Sequence, residues 1–575
     1  MTLPIVSVIK NHTKKPSVLL TLLAAGFLIG VGGAAYWFLS QRQTSSRGLP
    51  VGVNIIPQDA LFTVSLTTDP KQWQQLQELG TKETQAEITK NLVQLRDRFL
   101  SENGYEFQKD IAPWVGDQVT LAILSPPKIQ PGIKPLNKHG DGAIALQSMV
   151  MVLPVKNLEA ANSILAEPKT LKQGKWTEHT YQGITIRQTD SQSGEKLSAA
   201  LVDQRFLVLT DDPQATERAI DTYQGKASLA TVEGFRDNLR KISDHHPFAQ
   251  FYLNVPIAAK LAAVAPNSPL PAQVLTQLQN NQGLAGSLTL EPAGIRIRGI
   301  SWRNSQSQRV LKVEKTAETM QNRLPADTLM MLSHRNLQSL WADYVLTSQK
   351  NPLAPISPEQ LRGGVKSLTG LDLDKDFLSW MRGEFSVSVI PNSSNEDYSQ
   401  DFRAGLLLMV QARDASNGKS LRKSAEASLK KLDEVMQNQY QFQIQPSTVA
   451  GKPVINWITP FNTLTATHGW LDDDIAFLVV GAPITDKIMP KPDQTLASSA
   501  TFQETVPVQL HPNGRFFLDM ERSVQNFTLN TVFPQQQSFL DATQSIGVTS
   551  AVSDDRSMRY EIFIILKKGE TKGTG

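Results

Sequence analysis

The sequence predicts an α+β protein of two tandem homologous domains with antiparallel or mixed sheets and packed helices, preceded by one transmembrane helix. Three observations lead to this fold class. The chain has 575 residues, and one hydrophobic core stops growing at about 250 to 300 residues. An uncharged stretch lies near the N-terminus. Blocks of similar sequence also recur in the same order along the chain.

The composition is that of a folded globular protein without thiol chemistry. Hydrophobic residues make up 40% of the chain and charged residues 19%, which excludes collagen-like, coiled-coil and wholly disordered classes. The chain contains no cysteine, and this excludes disulfides, Fe–S clusters and cysteine-ligated zinc. The net charge of +3 forms no basic stripe, so nucleic acid is not an expected partner.

The segment from Ser17 to Leu39 is predicted to cross a bilayer as an uncleaved signal anchor. A helix of this length, rising about 1.5 Å per residue, covers a hydrocarbon core of about 30 Å. Lysines precede the segment and aromatic residues end it. This pattern predicts a cytoplasmic N-terminus over residues 1–16 and a bulk in the periplasm or thylakoid lumen. The alternative is a signal peptide cleaved near Gly33 to Ala35.

Gly26, Gly30 and Ala34 lie four residues apart on one face of this predicted helix. Small residues at this spacing let two membrane helices approach closely, which predicts a helix–helix contact and a homodimer. The alternative is that glycine and alanine are simply frequent in membrane helices. The lipid bilayer, contacted through residues 17–39, and a second copy of the chain are therefore expected partners.

Two segments with a shared signature indicate an internal duplication. The first carries Gly104, Lys109, Asp110, Trp114 and Gly116, and the second carries Gly370, Lys375, Asp376, Trp380 and Gly383. Pro57 likewise aligns with Pro325, and Phe206 with Phe477. We expect a linker, a first α+β domain, a second α+β domain and a flexible tail, with the ranges 40–50, 51–304, 305–568 and 569–575.

Each copy is predicted to begin with a strand that leads into an amphipathic helix. In the first copy the strand runs from Leu61 to Leu66, and a helix with one apolar face follows it. The segments Asp203 to Arg205 and Asp472 to Asp474 each separate two apolar runs, a pattern typical of tight hairpins. Hairpins punctuated by helices at unequal intervals favour antiparallel or mixed sheets.

The sequence contains no recognisable catalytic or metal-binding constellation. The eight histidines lack the spacing of metal ligands. Asp372, Asp374 and Asp376 begin like a calcium loop, but Phe377 occupies the position that needs glycine. A helix N-cap at the shared aspartate explains this pattern more simply. Trp114 and Trp380, like the rest of the signature, are interpreted as structural. We therefore expect no metal and no cofactor, and a binding protein rather than an enzyme.

One N-terminal span, a proline-containing opening strand and two copies of a K-D-x-x-x-W element followed closely by glycine resemble a cyanobacterial family of membrane-anchored proteins catalogued only as a domain of unknown function. The resemblance covers nearly everything after residue 50. It implies a plasma or thylakoid membrane location and brings no known catalytic residues.

The functional hypothesis is a membrane-tethered extracytoplasmic module that binds a protein partner or helps to assemble or organise a complex. Two alternatives stay open at this point. One is a hydrolase or transferase with an unrecognised site, which needs converging carboxylates or histidines. The other is an ectodomain that binds lipid or a small ligand, which needs an apolar cavity.

Overall fold

The computed structural model describes fourteen stretches of the chain: residues 49–99, 105–126, 148–166, 176–189, 197–242, 246–263, 281–307, 310–311, 319–348, 357–392, 403–460, 464–508, 511–526 and 537–567. These residues form twenty strands, which are joined by hydrogen-bonded ladders. The strand pairings whose register is resolved are antiparallel.

The strands alternate along the chain with short helices and turns. In chain order they are β1 Ala60–Thr67, β2 Gln118–Leu124, β3 Met149–Pro154, β4 Trp176–Tyr181, β5 Ile184–Thr189, β6 Ser198–Val202, β7 Phe206–Thr210, β8 Ala249–Asn254, β9 Asn281–Glu291, β10 Gly294–Arg303, β11 Met330–His334, β12 Phe385–Pro391, β13 Ala404–Gln411, β14 Gln443–Val449, β15 Lys452–Ile458, β16 Leu464–Leu471, β17 Ile475–Gly481, β18 Pro512–Asp519, β19 Thr543–Val552 and β20 Ser557–Leu566.

The α-helices of the described residues are mostly short. In chain order they are α1 Pro70–Glu78, α2 Lys82–Phe99, α3 Leu158–Ala166, α4 Pro213–Tyr223, α5 Phe235–Ile242, α6 Val255–Ala263, α7 Leu337–Ser348, α8 Pro358–Thr369, α9 Arg422–Tyr440, α10 Thr485–Ile488, α11 Ala500–Thr505, α12 Met520–Asn526 and α13 Gln537–Ala542. Two π-helical turns, Phe107–Ile111 and Leu373–Leu378, are called the first and second π-turn. Short 3-10 turns occupy Leu229–Thr231, Met320–Asn322 and Leu496–Ser498.

The chain divides into two compact units, and the first contains strands β1 to β7. Their spatial order is β1-β2-β3-β7-β6-β5-β4. A core on one face of this sheet joins Trp114, Leu153 and Leu207 with Ala161 and Leu165 of α3. Apolar residues of α3 and alternate residues of the strands therefore bury a shared surface, which is the main source of stability in such a layer.

The second unit contains strands β8 to β20. Their spatial order is β8-β9-β10-β20-β19-β18-β11-β12-β13-β17-β16-β15-β14. The part of this order from β11 to β14 has the same connectivity as β1 to β4 in the first unit. A core of fully buried side chains, including Met331, Leu407, Phe477 and Phe517, covers one face.

The predicted fold class was wrong. Antiparallel strands and packed helices are present, but the strands do not form the separate sheets of two tandem domains. The reason is the pairing of β10 with β20, in which Gly294–Arg303 pairs with Ser557–Leu566 from Gly294↔Ile565 to Trp302↔Ser557. Separate sheets would leave both strands with a row of unpaired backbone donors and acceptors, and this pairing satisfies them. The boundary between residues 304 and 305 stays a prediction.

The predicted transmembrane helix and the single-pass location in the periplasm or thylakoid lumen also need correction. Within the described stretches, no helix is both long enough and apolar enough to cross a bilayer. The longest of these helices, α2 and α9, have 18 and 19 residues and carry many charged side chains. The predicted span over residues 17–39, with Gly26, Gly30 and Ala34, lies outside the described residues.

One close approach of two backbone segments requires a glycine at the start of β12. A Cβ atom at Gly383 would lie 2.4 Å from the carbonyl oxygen of Gln411, and the carbonyl oxygen of the next residue, Glu384, accepts the N–H of Gln411 at 2.8 Å. The contact is with backbone rather than with a flexible side chain, so a larger residue must displace the strand.

We therefore expect Gly383→Ala to destabilise the second unit by about 1 to 3 kcal/mol, as overpacking typically does. Gly363→Ala is the matched control, because Gly363 is exposed in α8 and a Cβ atom added there would meet nothing within 4 Å. That variant should gain roughly 0.5 to 1 kcal/mol of helix stability. Thermal unfolding midpoints of the two variants should move in opposite directions; a shared direction would contradict the steric argument.

An ion pair anchors the β19–β20 hairpin to helix α5. Asp554 accepts hydrogen bonds from the Lys241 ammonium, from Ser557 and from the backbone N–H of Arg556. Partial burial acts to raise the pKa of Asp554, but these hydrogen bonds outweigh it and lower the pKa to about 2. Because an unfolded aspartate titrates near about 3.9, the ionised carboxylate stabilises the fold above that pH. This stabilisation is lost as the pH falls through about 2.

Asp554→Asn should therefore lower the unfolding midpoint most at neutral pH. The difference from the wild type should shrink between pH 4 and pH 2, where the wild-type carboxylate becomes protonated. Asp237→Asn is the control, because the Asp237 side chain is 81% exposed and lies 4.0 Å from Arg240. Urea unfolding at pH 7, 4 and 2.5 measures the effect. A difference that stays constant over this range would contradict the role given to Asp554.

Candidate functional site

The signature predicted from the sequence builds the same turn twice. In the first π-turn the Asp110 carboxylate accepts the backbone N–H of Glu106 at 2.7 Å. The indole N–H of Trp114 then donates to the Asp110 carbonyl oxygen at 2.7 Å. The aspartate thus closes the turn at its beginning, and the tryptophan closes it at its end.

The second π-turn repeats this geometry with additional polar contacts. The Asp376 carboxylate accepts the backbone N–H of Asp372 at 2.8 Å, and the Trp380 indole donates to the Asp376 carbonyl oxygen at 3.2 Å. Lys431 of α9 donates to the Asp376 carboxylate at 2.8 Å. The hydrogen bonds from Lys431 and from the backbone of Asp372 hold the pKa of Asp376 below its ordinary value. The N-cap of the turn is Asp372, and Asp376 instead bonds back to it.

The remaining signature residues divide into buried and exposed groups. Trp114 and Trp380 are 1% and 2% exposed and belong to the apolar cores of their units. The lysines, Lys109 and Lys375, are exposed. Gly370 ends α8 in a left-handed conformation, with φ of 68°. Gly116 packs against Pro154, Gly383 lies against Gln411, and Gly104 is outside the described residues. The described residues of the signature therefore stabilise the two turns and the cores, and they bring no reactive groups together.

A shallow polar cleft in the second unit contains a buried carboxylate. Glu384, 4% exposed, accepts the backbone N–H groups of Thr319 and Met320 at 3.1 and 3.2 Å. Burial raises the pKa of Glu384, and these N–H groups partly oppose that effect. His334 and Arg515 also line the cleft. Because the carboxylate already satisfies backbone donors, it caps a 3-10 turn rather than serving as a free acid or base.

A second buried polar cluster, absent from the sequence predictions, holds α9 against the sheet. One carboxylate oxygen of Asp433 accepts hydrogen bonds from His468 Nε2 at 2.7 Å and from the Trp457 indole at 2.8 Å. His468 is 5% exposed. These residues match no motif: the register of β15 and β16 places Trp457 near His468, and the packing of α9 brings Asp433 to both. In the part of the chain that the structure describes, no three His, Asp or Glu side chains could hold a metal ion.

The surface feature with the clearest functional potential is an apolar sheet face on four adjacent strands of the second unit. Two rows of side chains point to the same side, because alternate residues of a strand share a face. The apolar face is defined by these two rows: Leu332, Val387, Leu408 and Leu478, and Met330, Val389, Leu406 and Val480.

The exposure of this apolar face is unusual for an antiparallel sheet. Leu332, Leu406 and Val480 are 40%, 46% and 39% exposed. A sheet that packs a core on one side ordinarily carries polar residues on the other. The inner residues Val387 and Leu408 pack against the cluster around the second π-turn, and Leu406 and Val480 lie in the next row, where that cover ends. The sequence signal was an apolar run without alternation, Gly405 to Val410, which looks the same whether the second face meets a helix or solvent.

Three comparisons with known proteins place this geometry in context. No curated protein matches the chain. Among solved structures, crystal forms III, IV and I of TP0453 match with 9% sequence identity and TM-scores of 0.24, 0.24 and 0.25. Each match covers 44% of this chain and 79 to 80% of the TP0453 chain. Similarity at this level carries no functional argument.

The comparison with protein families gives a match over nearly the whole chain. The model described as a protein of unknown function, DUF3352, matches residues 21–566. The resemblance to a domain of unknown function is thereby confirmed, whereas a cyanobacterial source stays a prediction. With this extent of match, the chain belongs to the DUF3352 family of proteins of unknown function.

Proposed function

We propose that this protein is a binding module that holds a partner protein on the apolar face of its second unit and thereby helps to assemble a complex. The observation that carries the proposal is the exposure of Leu406 and Val480, which are directly paired on β13 and β17, together with that of Leu332 on β11 of the same face. Contiguous exposed apolar residues on a folded protein mark interaction sites, whereas single ones need no explanation.

The energetics favour a protein partner with an apolar surface of its own. Removing apolar area from water contributes about 25 cal/mol per Å², so covering several aliphatic side chains supplies a useful part of a binding free energy. The strands are fixed by ladders on both sides. Little conformational entropy is therefore lost when a partner docks, and more of the contact energy contributes to affinity.

The two other functional classes find less support among the described residues. Lipid or small-ligand binding needs a concave apolar cavity, whereas the cleft at Glu384 is lined by His334, Arg335 and Arg515. A hydrolase or transferase needs free acids, bases or nucleophiles that converge. The buried carboxylates of Glu384 and Asp433 already accept hydrogen bonds from neighbouring groups.

We also infer that the two segments recognised in the sequence share an origin, and that the apolar face is a specialised feature of the second one. The common strand connectivity and the two π-turns support this inference. Val64 in β1 takes the position of Leu332 in β11, at the offset of 268 set by Pro57 and Pro325. Val64 is 2% exposed and Leu332 is 40% exposed, so exposure of this face is not a general consequence of the strand order.

Site-specific photo-crosslinking in cells of the source organism tests the proposal directly. A photoreactive residue at Leu406 or Val480 should crosslink to the same partner protein. The same residue at Leu368, which is 61% exposed on α8, should not. Equal crosslinking from Leu368, or crosslinks from the apolar face to lipid alone, would overturn the proposal.

Substitution of the apolar face should separate binding from folding. Leu332→Thr, Leu406→Thr and Val480→Thr keep a strand-forming residue but add a hydroxyl group, so each should weaken binding of the crosslinked partner about tenfold, or about 1.4 kcal/mol. Binding of the dye anilinonaphthalene sulfonate to the purified chain should fall in parallel.

The matched control for these substitutions is Leu368→Gln, which removes an exposed leucine elsewhere and should change neither measurement. The free energies of unfolding of the threonine variants should stay within roughly 0.5 kcal/mol of the wild-type value, as for other surface changes. A variant that carries all three threonine substitutions extends the test. If it binds the partner as tightly as the wild type, the apolar face is not the binding surface.

A further inference from the structure

The β4–β5 hairpin fixes which backbone groups of β4 point away from the sheet. Gln182 and Gly183 form its two-residue turn, with φ of 47° and 79°, the signature of a type I′ turn. Tyr181 and Ile184, which flank the turn, are therefore a hydrogen-bonded pair, and the pairs alternate from there. The N–H and C=O groups of Glu178 and Thr180 consequently point away from β5.

Strand β4 is an edge strand of the first unit. It pairs with β5, from Trp176↔Thr189 to Tyr181↔Ile184, and β5 is the only strand in extensive contact with it among the residues that the structure describes. Thr177, Glu178 and Thr180 are exposed. An edge of this kind presents a template to which another strand can add through main-chain hydrogen bonds.

At the corresponding edge of the second unit, a proline interrupts the row of outward-pointing N–H donors. Strand β14 ends the order of its unit as β4 does, and Ala450 and Gly451 form the same turn with φ of 49° and 76°. Counting back from this turn, Pro446 occupies in β14 the outward-pointing position that Glu178 occupies in β4. Proline has no N–H to donate, and it is a common device for blocking an edge. The two edges thus differ at one of their outward-pointing donors.

Charge near β4 indicates the chemistry of the strand that fits there. The Glu178 side chain is 54% exposed, and one of its oxygens accepts from Arg187 at 2.7 Å. On the other face, Glu217 of α4 is 37% exposed and lies 3.9 Å from His179. Carboxylates therefore border the edge on both faces. An antiparallel contact between two β4 strands in the register that pairs Glu178 with Glu178 would bring two carboxylates together, and like charges on neighbouring strands are destabilising.

We propose that the edge of β4 receives an extended, basic peptide segment of a partner, which adds one strand to the first unit. The main chain of the segment exchanges hydrogen bonds with Glu178 and Thr180. Its lysine or arginine side chains, on alternate residues, meet Glu178 on one face or Glu217 on the other. This site is separate from the apolar face, so each proposal stands or fails without the other.

The probe is an acetylated and amidated nine-residue peptide in which lysine and valine alternate. Added to the full-length chain, it should bind at one site and slow hydrogen exchange at the amides of Glu178 and Thr180. A control peptide of the same sequence, N-methylated at alternate residues, keeps the charge but loses the main-chain donors. Its binding should be at least tenfold weaker. Equal binding of both peptides would reduce the interaction to charge alone and overturn the proposal.

Exchange of the edge residues between β4 and β14 provides the matched variants. Glu178→Pro should weaken peptide binding at least tenfold and leave the circular dichroism unchanged, because β14 already carries proline at that position. Glu178→Gln keeps the N–H and should lose only a few-fold. Pro446→Glu should raise the number of binding sites from one to two.

Two results would contradict the assignment. One is equal peptide affinity of the wild type and Glu178→Pro. The other is a wild-type dimer in sedimentation that Glu178→Pro converts to monomer, because the occupant of the edge is then a second copy of the chain. Threonine variants of the apolar face should bind the peptide as the wild type does, which distinguishes failure of this site from failure of the other.

Discussion

The ladder between β10 and β20 is the interaction on which the organisation of the second unit depends. It joins residues 294–303 to residues 557–566, and each strand also belongs to a hairpin of its own, with β9 and β19. Arg296, 17% exposed, crosslinks the three strands β9, β10 and β20 through Glu291 and Glu561 and lies 4.1 Å above the Phe563 ring. The ion pairs join the same strands as the ladder. Loss of the Glu291 or Glu561 carboxylate would therefore leave the largely buried Arg296 guanidinium with fewer partners, and an incompletely paired buried charge destabilises a folded protein. The pairing also removes two edges that would otherwise be open to other chains.

Local structure was largely predictable from the sequence because its signals are local. The strand expected from Leu61 to Leu66 is found as Ala60–Thr67. The turn residues Asp203 and Asp472, both with positive φ, lie in the expected hairpins between β6 and β7 and between β16 and β17. Aspartate tolerates this conformation and caps its own backbone, which is why it marks such turns. These features depend on a few consecutive residues.

The long-range strand pairings and the surfaces that they form were not predictable in the same way. The register of β10 against β20 depends on residues more than 250 positions apart, and no local pattern encodes which hairpin edges meet. The run around Leu406 and Leu408 is apolar on both faces of its strand, and composition alone does not reveal which face a helix covers. The Asp433–His468 contact likewise follows from the packing of α9 on β16 and not from sequence spacing. The prediction of two separate sheets failed because recurring sequence was taken to mean independent domains.

The distribution of exposed features also suggests how a sheet of this size avoids indiscriminate association. An apolar face next to an open strand edge combines non-directional and directional attraction, which is the condition for edge-to-edge aggregation. In the second unit, which exposes Leu406 and Val480, Pro446 removes one outward donor of the terminal strand. In the first unit, where the β4 edge keeps that donor at Glu178, Val64 is buried in the position of Leu332. On the two proposals, each unit thus leaves open one kind of contact. Hydrophobic docking tolerates many geometries, whereas strand addition demands an extended backbone in register, so the two proposed surfaces would select chemically different partners.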